Sequence, residues 1–282
     1  MNPTSRLRTR QRLRRLLLLL SFVLLPVTLY YFSPVLVLGA ASEGVVNGSL
    51  LVFALMLAGA LFLGRLWCGW GCPAGGLQDC ATLVNDRAVP GGRCNWIKWG
   101  IWIPWVALIA VLAIRAGGLH GVDPFYGLEG GVTLDIPEDP SAPPWYLIYF
   151  IVVGLFLGLA LLIGRRAGCH YVCWMAPFMI IGRKVSNLVR GPALRLTARP
   201  DLCTNCLTCN RHCPMSLDVN VMVRSGRMDD SECILCLSCV DGCPSQAISL
   251  RYDRLGPGVH SRRTEGAGAA QDFPCRPVHT TE

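Results

Sequence analysis

The sequence predicts an integral membrane α-helical domain of four transmembrane helices, followed by a small cysteine-rich domain on the cytoplasmic side. Three observations predict it. Of 282 residues, 52% are apolar and only 16% charged, a balance typical of membrane chains. Four apolar stretches are long enough to approach a bilayer crossing at about 1.5 Å per residue. Fifteen cysteines include two late runs of identical spacing, which suits metal ligation in a reducing compartment better than a disulfide framework.

Residues 1–15 form a basic tail with six Arg. The membrane domain, 16–164, is expected to span at about 16–38, 49–67, 99–114 and 145–163. A cleaved signal peptide competes at the first span, because Gly39-Ala40-Ala41 resembles a cleavage site. The apolar run exceeds a usual signal core, so a retained anchor is expected. Loops 39–48 and 116–144 hold acids and no Lys or Arg. The loop 65–98 holds Arg65, Arg87, Arg93 and Lys98, and Arg165 and Arg166 follow the fourth span. The positive-inside rule therefore puts both termini and the middle loop in the cytoplasm. Trp67, Trp70, Trp96 and Trp99 suit an aromatic belt on that side, and Gly154-x3-Gly158 and Ala60-x3-Gly64 suit helix contacts. No His lies in a span and no C-x2-C-H occurs, which argues against b- and c-type haem. No charge sits mid-span, which argues against an ion path.

Residues 165–200 form a basic segment with seven basic residues and no acid. Within it, 177–190 reads as an amphipathic helix on the inner leaflet, with Phe178, Ile181, Val185 and Leu188 on one face; a plain basic linker is the alternative. Membrane lipid is thus an expected partner. The net charge of +8 flanks apolar segments and leaves no basic footprint for nucleic acid. No Gly-rich fingerprint or P-loop indicates a nucleotide. Residues 201–252 form the cysteine-rich domain, with a short helix at 218–225, and 253–282 reads as a disordered tail.

That domain reads Cys203-x2-Cys206-x2-Cys209-x3-Cys213-Pro214 and then Cys233-x2-Cys236-x2-Cys239-x3-Cys243-Pro244. Each run has the spacing that wraps a [4Fe–4S] cluster, with the fourth cysteine ligating the other cluster. Cys203, Cys206, Cys209 and Cys243 are expected to hold one cluster, and Cys233, Cys236, Cys239 and Cys213 the other. Four-cysteine zinc sites also use C-x2-C pairs, but need neither the third cysteine nor the Cys-Pro ending.

A second set follows the spans. Gly64-Arg65-x2-Cys68-x3-Cys72-Pro73 follows the second and Gly164-Arg165-x3-Cys169-x3-Cys173 the fourth. Each copy is a two-helix hairpin ending in Gly-Arg and C-x3-C, which looks like an internal duplication. Residues i and i+4 share a helix face, so Cys68, Cys72, Cys169 and Cys173 could form one thiolate site for a further metal. Separate reduced thiols at a packed interface are the alternative. Cys80 and Cys94 are expected to be structural, and Cys275 to have no role.

Four spans, paired C-x3-C motifs and a tandem-cluster domain resemble the NapH-type membrane ferredoxins, a group with MauN and the C-terminal part of NosR. The resemblance covers about residues 50–250 and rests on Cys68-Gly-Trp-Gly-Cys72-Pro73 and the two cluster runs. In the second pair, Cys173 is followed by Trp174-Met175-Ala176-Pro177. The resemblance implies electron transfer at the bacterial cytoplasmic (inner) membrane, between a quinol or cytoplasmic donor and a redox partner protein, as a subunit rather than a stand-alone enzyme. A metal-handling reductase or assembly factor for a respiratory enzyme, or an iron–sulfur redox sensor, are the alternatives.

Overall fold

The computed structural model describes residues 3–127 and 145–254. Helix α1 (Pro3–Val23) begins inside the basic tail and runs into the first apolar stretch. The expected span 16–38 is not one helix. The axis turns by 58° between Thr9–Val23 and Leu25–Phe32. There α2 (Leu25–Thr28) passes into a 3-10 turn, Leu29–Phe32, before α3 (Pro34–Ser42) starts afresh. Pro26 and Pro34 account for both breaks, since each lacks an N–H and disfavours helix at the residue before it. Ser33 restarts the chain by accepting the Leu36 N–H on its side chain, as a helix cap does.

The remaining helices before the cysteine-rich unit are α4 (Gly48–Leu63), α5 (Leu66–Trp70), α6 (Pro73–Ala81), α7 (Ile97–Arg115), α8 (Trp145–Leu162), α9 (Ala167–Tyr171) and α10 (Ala176–Leu188). With its 3-10 lead-in, α7 extends over Cys94–Arg115 and is long and apolar enough to cross a membrane. The bent α1–α2 pair meets the same description as a broken span, while α4 and Tyr146–Leu162 are shorter apolar helices. The outer sides of α7 and α8 expose Ile103, Val111, Ile114, Phe150, Ile151 and Leu162. Strands β1 (Val45–Asn47) and β2 (Gly121–Asp123) pair in parallel and tie the two acidic loops together.

Helix α10 packs along α4 through a side other than the apolar face read from its periodicity, burying Met179, Ile180, Gly182 and Ser186 while Phe178 and Ile181 are half-buried and Val185 and Leu188 exposed. Gly182 is the reason: a Cβ there would stand 2.6 Å from the Leu57 carbonyl oxygen and 2.8 Å from Ala60 Cβ, so only glycine lets the two backbones meet. Phe178 then stacks on Phe53, ring centroids 5.2 Å apart. The small-residue contact is thus Ala60 with Gly182, and nothing packs within 4 Å of where a Cβ would sit at Gly154 or Gly158.

The cysteine-rich unit comprises β3 (Ala193–Ala198), α11 (Thr208–Arg211), α12 (Val219–Arg224), α13 (Ser238–Asp241) and β4 (Ile248–Asp253). β3 and β4 are antiparallel, with Ala193 opposite Asp253 and Ala198 opposite Ile248. The unit therefore opens at 193, inside the stretch that charge alone assigned to the basic segment. Gly226, at φ 68°, closes the helix expected at 218–225. The tail beyond Arg254, Cys275 and most of the loop 116–144 lie outside the described residues.

Candidate iron–sulfur sites

Two cavities sort the eight late cysteines into crossed sets. One is lined by Cys203, Cys206, Cys209 and Cys243; the other by Cys213, Cys233, Cys236 and Cys239. The backbone around them is shaped alike. Asn205, Leu207 and Ser216 adopt left-handed φ of 56°, 57° and 51°, and Leu235, Leu237 and Gln246 repeat this at 50°, 64° and 54°. A left-handed leucine costs on the order of 1–3 kcal/mol and persists only where its surroundings demand it. Such turns aim backbone N–H groups into a concavity suited to an anion. Hydrogen bonds to sulfur already exist, from Ala247 N to Cys243 Sγ at 3.3 Å and from Asn220 Nδ2 to Cys203 Sγ at 3.8 Å. Four thiolates and inward donors suit a [4Fe–4S] cluster, so the residues present fit that group.

Burial separates the two cavities. In the first set Cys206 is exposed, Cys203 and Cys243 are half-buried and Cys209 is buried, whereas in the second Cys213, Cys236 and Cys239 are buried and Cys233 is half-buried. Burial pushes the Cys213 thiol to about 11 and Cys233 to about 12. Cys206, at the surface, is held below its ordinary range by hydrogen bonding to Thr208.

The other four cysteines, Cys68, Cys72, Cys169 and Cys173, are all buried. They are not paired on continuous helix faces. Cys68 lies in α5, but Cys72 is extended at the start of α6, with φ −75° and ψ 122°. Pro73 forces this, because the residue before a proline is driven out of the helical region. In the second copy α9 ends before Cys173. The turns nonetheless match. The Trp67 carbonyl accepts from Gly71 and Cys72 N–H at 2.8 and 3.0 Å, and the Gly168 carbonyl from Val172 and Cys173 N–H, both at 3.0 Å. In this register Arg65 corresponds to Arg166, not to Arg165, which turns to Asp86.

The two copies approach one another. Burial, and then proximity to Cys68, Cys169 and Cys173, push the Cys72 thiol well above its ordinary value. Burial followed by Cys169 and Cys68 takes Cys173 to about 12. Gln78 bridges the copies, donating to Cys169 Sγ at 3.2 Å and to the Ala74 carbonyl at 3.0 Å, and accepting from Gly168 N–H. Cys68 Sγ lies 3.9 Å from Met179 Sδ. Cys80 is exposed, while Cys94 is buried with Val89, Ala167 and Tyr171.

The buried cysteine cavity sits directly on the first C-x3-C turn. Trp70 Nε1 donates to the Leu235 carbonyl at 3.1 Å. A Cβ at Gly69 would collide with the Ile234 carbonyl oxygen, so the turn can approach this closely only as glycine. Helix α1 clamps the same junction. Arg10 pairs with Asp241, Gln11 donates to the Cys236 carbonyl at 3.1 Å, and Arg14 reaches the Gly69 carbonyl at 3.3 Å. His170 in α9 lies 3.1 Å from the Met215 carbonyl, and burial lowers its pKa to about 4.

Sequence reasoning missed the charged residues that hold this junction. Glu232 pairs with Arg65 at 2.9 Å and Lys98 at 2.6 Å. Burial opposes its ionisation, but the two cations outweigh it and hold its pKa at about 2. Asp79 pairs with Arg166 at 2.7 Å and Arg14 at 3.0 Å, and is likewise lowered against the effect of burial. Arg65, Lys98 and Arg166 read as topology charges because only tertiary contact supplies their carboxylates.

Two family models match the chain: a 4Fe-4S binding domain over residues 48–89 and a 4Fe-4S dicluster domain over residues 195–244. The chain is similar to Protein NirI of Paracoccus denitrificans, 29% identical over 201 residues, covering 67% of this chain and 26% of that protein. It is similar to Ferredoxin-type protein NapH of Haemophilus influenzae, 27% identical over 213 residues, covering 72% of this chain and 68% of that one. An uncharacterized protein of Methanocaldococcus jannaschii is 29% identical over 105 residues, covering 37% of this chain and 38% of its own. The matches thus span well under two thirds of the NirI and archaeal relatives. No solved structure matches. These similarities support the NapH-type 4Fe–4S ferredoxin family and a chain that carries two [4Fe–4S] clusters.

Proposed function

We propose that the chain is a NapH-type 4Fe–4S ferredoxin protein, a membrane-anchored carrier between a quinol or cytoplasmic donor and a redox partner protein. The carrying observation is the unequal placement of the two cysteine cavities. The inner one rests on the membrane-domain turn at Gly69 and the outer one opens to solvent through Cys206. The ligands are Cys203, Cys206, Cys209 and Cys243 outside, and Cys233, Cys236, Cys239 and Cys213 inside. Bound clusters supply the one-electron change, and the chain supplies burial, N–H donors and position.

The quinol version draws support from an apolar groove of about 560 Å³ lined by Leu20, Thr28, Phe32, Trp67, Trp70 and Gly71. Its wall is the Cys68–Cys72 turn itself, so an apolar donor lying there would touch the junction. Four crossings with cytoplasmic termini remain the topology of this reading, α1–α2 being the broken first span. The parallel pairing of β1 with β2 suits it, because both acidic loops then lie on one side. Cys68, Cys72, Cys169 and Cys173 form its shared thiolate site.

Anaerobically purified protein should hold about eight irons in its ferredoxin unit, with acid-labile sulfide. Stoichiometric zinc without sulfide would end the reading. Inner-membrane vesicles should show cluster reduction on addition of a quinol or a low-potential cytoplasmic donor. Alkaline phosphatase fused after residue 130 should be active and after residue 200 inactive; the reverse would overturn the orientation.

A further inference from the structure

Two buried charge networks flank the four membrane-side thiols, each with two cations bonded to one carboxylate. In one, Arg65 and Lys98 share the single carboxylate of Glu232. In the other, Arg14 and Arg166 share Asp79. Beyond these directly bonded carboxylates, Asp230 stands near Arg65 and the inner-cavity Cys236 near Arg166. Arg14, Arg65, Lys98 and Arg166 are all buried, so water does not balance them. Their donors are not all used. Arg65 Nε and Nη2 and Arg166 Nη2 are buried and find no hydrogen-bond partner among the described residues. Orphaned guanidinium donors and buried charge are both costly unless an anion meets them.

The thiols are where that anion belongs. Arg166 Nη1 donates to the Cys68 carbonyl at 2.8 Å, passing over Gly75, where a Cβ would stand only 3.1 Å from it. Arg14 reaches the carbonyl of Gly69, inside the same turn. Arg65 and Arg166 occupy equivalent places in the two copies, three residues before Cys68 and Cys169. Four protonated thiols offer no negative charge. Four thiolates around a metal core of two positive charges offer an overall negative group, the kind of partner that orphaned buried guanidinium donors lack.

Spacing selects the kind of core. No three or more His, Cys, Asp or Glu converge closely enough for a single ion among the described residues. That holds equally for the eight ferredoxin cysteines, whose ligand is polynuclear. The 4Fe-4S match over 48–89 contains only Cys68, Cys72 and Cys80, and Cys80 is exposed. A four-cysteine site there needs ligands from the second copy.

We propose that Cys68, Cys72, Cys169 and Cys173 hold a third iron–sulfur cluster, built across the internal repeat and flanked by the orphaned guanidinium donors of Arg65 and Arg166. This rests on the iron–sulfur carrier reading above. It adds a redox centre at the membrane face, one glycine away from the backbone of the inner ferredoxin cavity.

The test begins with the wild-type full chain, purified anaerobically in detergent and assayed for iron and acid-labile sulfide. The expected count exceeds the ferredoxin's share: about twelve irons with a third cubane, about ten with a two-iron cluster. Cys68→Ser and Cys173→Ser should each remove only the excess and leave the ferredoxin EPR signals, while Cys80→Ser should remove nothing. About eight irons, with these four thiols alkylated in native protein, overturns the proposal and leaves the carrier reading standing. Stoichiometric copper or zinc lost with Cys68→Ser also overturns it; Met179, a soft donor beside Cys68, makes copper the metal to assay first. Absence of iron and sulfide from the whole chain would instead remove the carrier reading itself.

Discussion

The two ferredoxin cavities share a cysteine spacing and a backbone trace, yet one opens to water and the other faces the C-x3-C turn at Gly69 and Trp70. Their left-handed residues recur at matching places, Leu207 with Leu237 and Asn205 with Leu235. Their surroundings do not. Around the inner set stand Gly69, Trp70, Gln11 and the Arg65–Glu232–Lys98 network. Around the outer set stand Thr208, Asn220 and solvent. Identical spacing thus makes one cavity that opens to solvent through Cys206 and one that is closed by its own chain. The motif builds the cradle, and packing assigns its surroundings.

The largest expected effect breaks the inner side. Asp79→Asn leaves Arg14 and Arg166 buried without their carboxylate, a loss of about 3–5 kcal/mol. Thermal unfolding in detergent should show it, with the inner signal lost before the outer. The pKa of Asp79 is lowered in the fold. Its contribution is therefore complete above the ordinary Asp range and fades as pH falls through the lowered value. Wild type and Asp79→Asn should differ near neutrality and converge in strong acid; a constant gap would contradict the ion-pair account.

Gly69→Ala comes next. Its Cβ meets a carbonyl oxygen of the inner loop, and forcing extra volume into such a contact costs about 1–3 kcal/mol. The inner EPR line shape should change while the outer stays as in wild type. Equal change in both would erase the distinction drawn between them.

Asp241→Asn tests the clamp from α1. Arg10 is about one third exposed, so the pair contributes no more than about 1 kcal/mol and weakens with salt. Limited proteolysis of the N-terminal helix should speed up modestly, most at low ionic strength. Smallest in stability is Asn220→Ala, which removes a donor from Cys203 Sγ. Redox titration should show a lower outer potential, since a lost N–H···S bond disfavours the added electron; a shift confined to the inner signal would assign the cavities the wrong way round.

Much of this was legible before any coordinates. Spacing alone placed Cys213 with the second run and Cys243 with the first, and the cavities group them so. A loop too short to turn back on itself lends three sulfurs to one concavity, and that is a local property. The repeat of C-x3-C was legible for the same reason. Its geometry was not: helical spacing suggested one face, while Pro73 breaks the helix between Cys68 and Cys72. The first span misled likewise, because Pro26 and Pro34 interrupt an otherwise unbroken apolar run.

What the sequence by itself determined is the chemistry available: two cluster cradles, four further thiols, apolar helices, and cations clustered near their ends. These follow from residue type and short spacing, which act over a few bonds. Only the tertiary structure decided which cation meets which carboxylate. Arg65 finds Glu232 across 167 residues and Arg166 finds Asp79 across 87. It also decided that Gly69, between the two cysteines of the first C-x3-C motif, is where the ferredoxin loop at Ile234 makes its closest approach. Such pairings depend on how whole elements pack, because a buried charge accepts whatever partner the fold delivers and no local pattern encodes that partner.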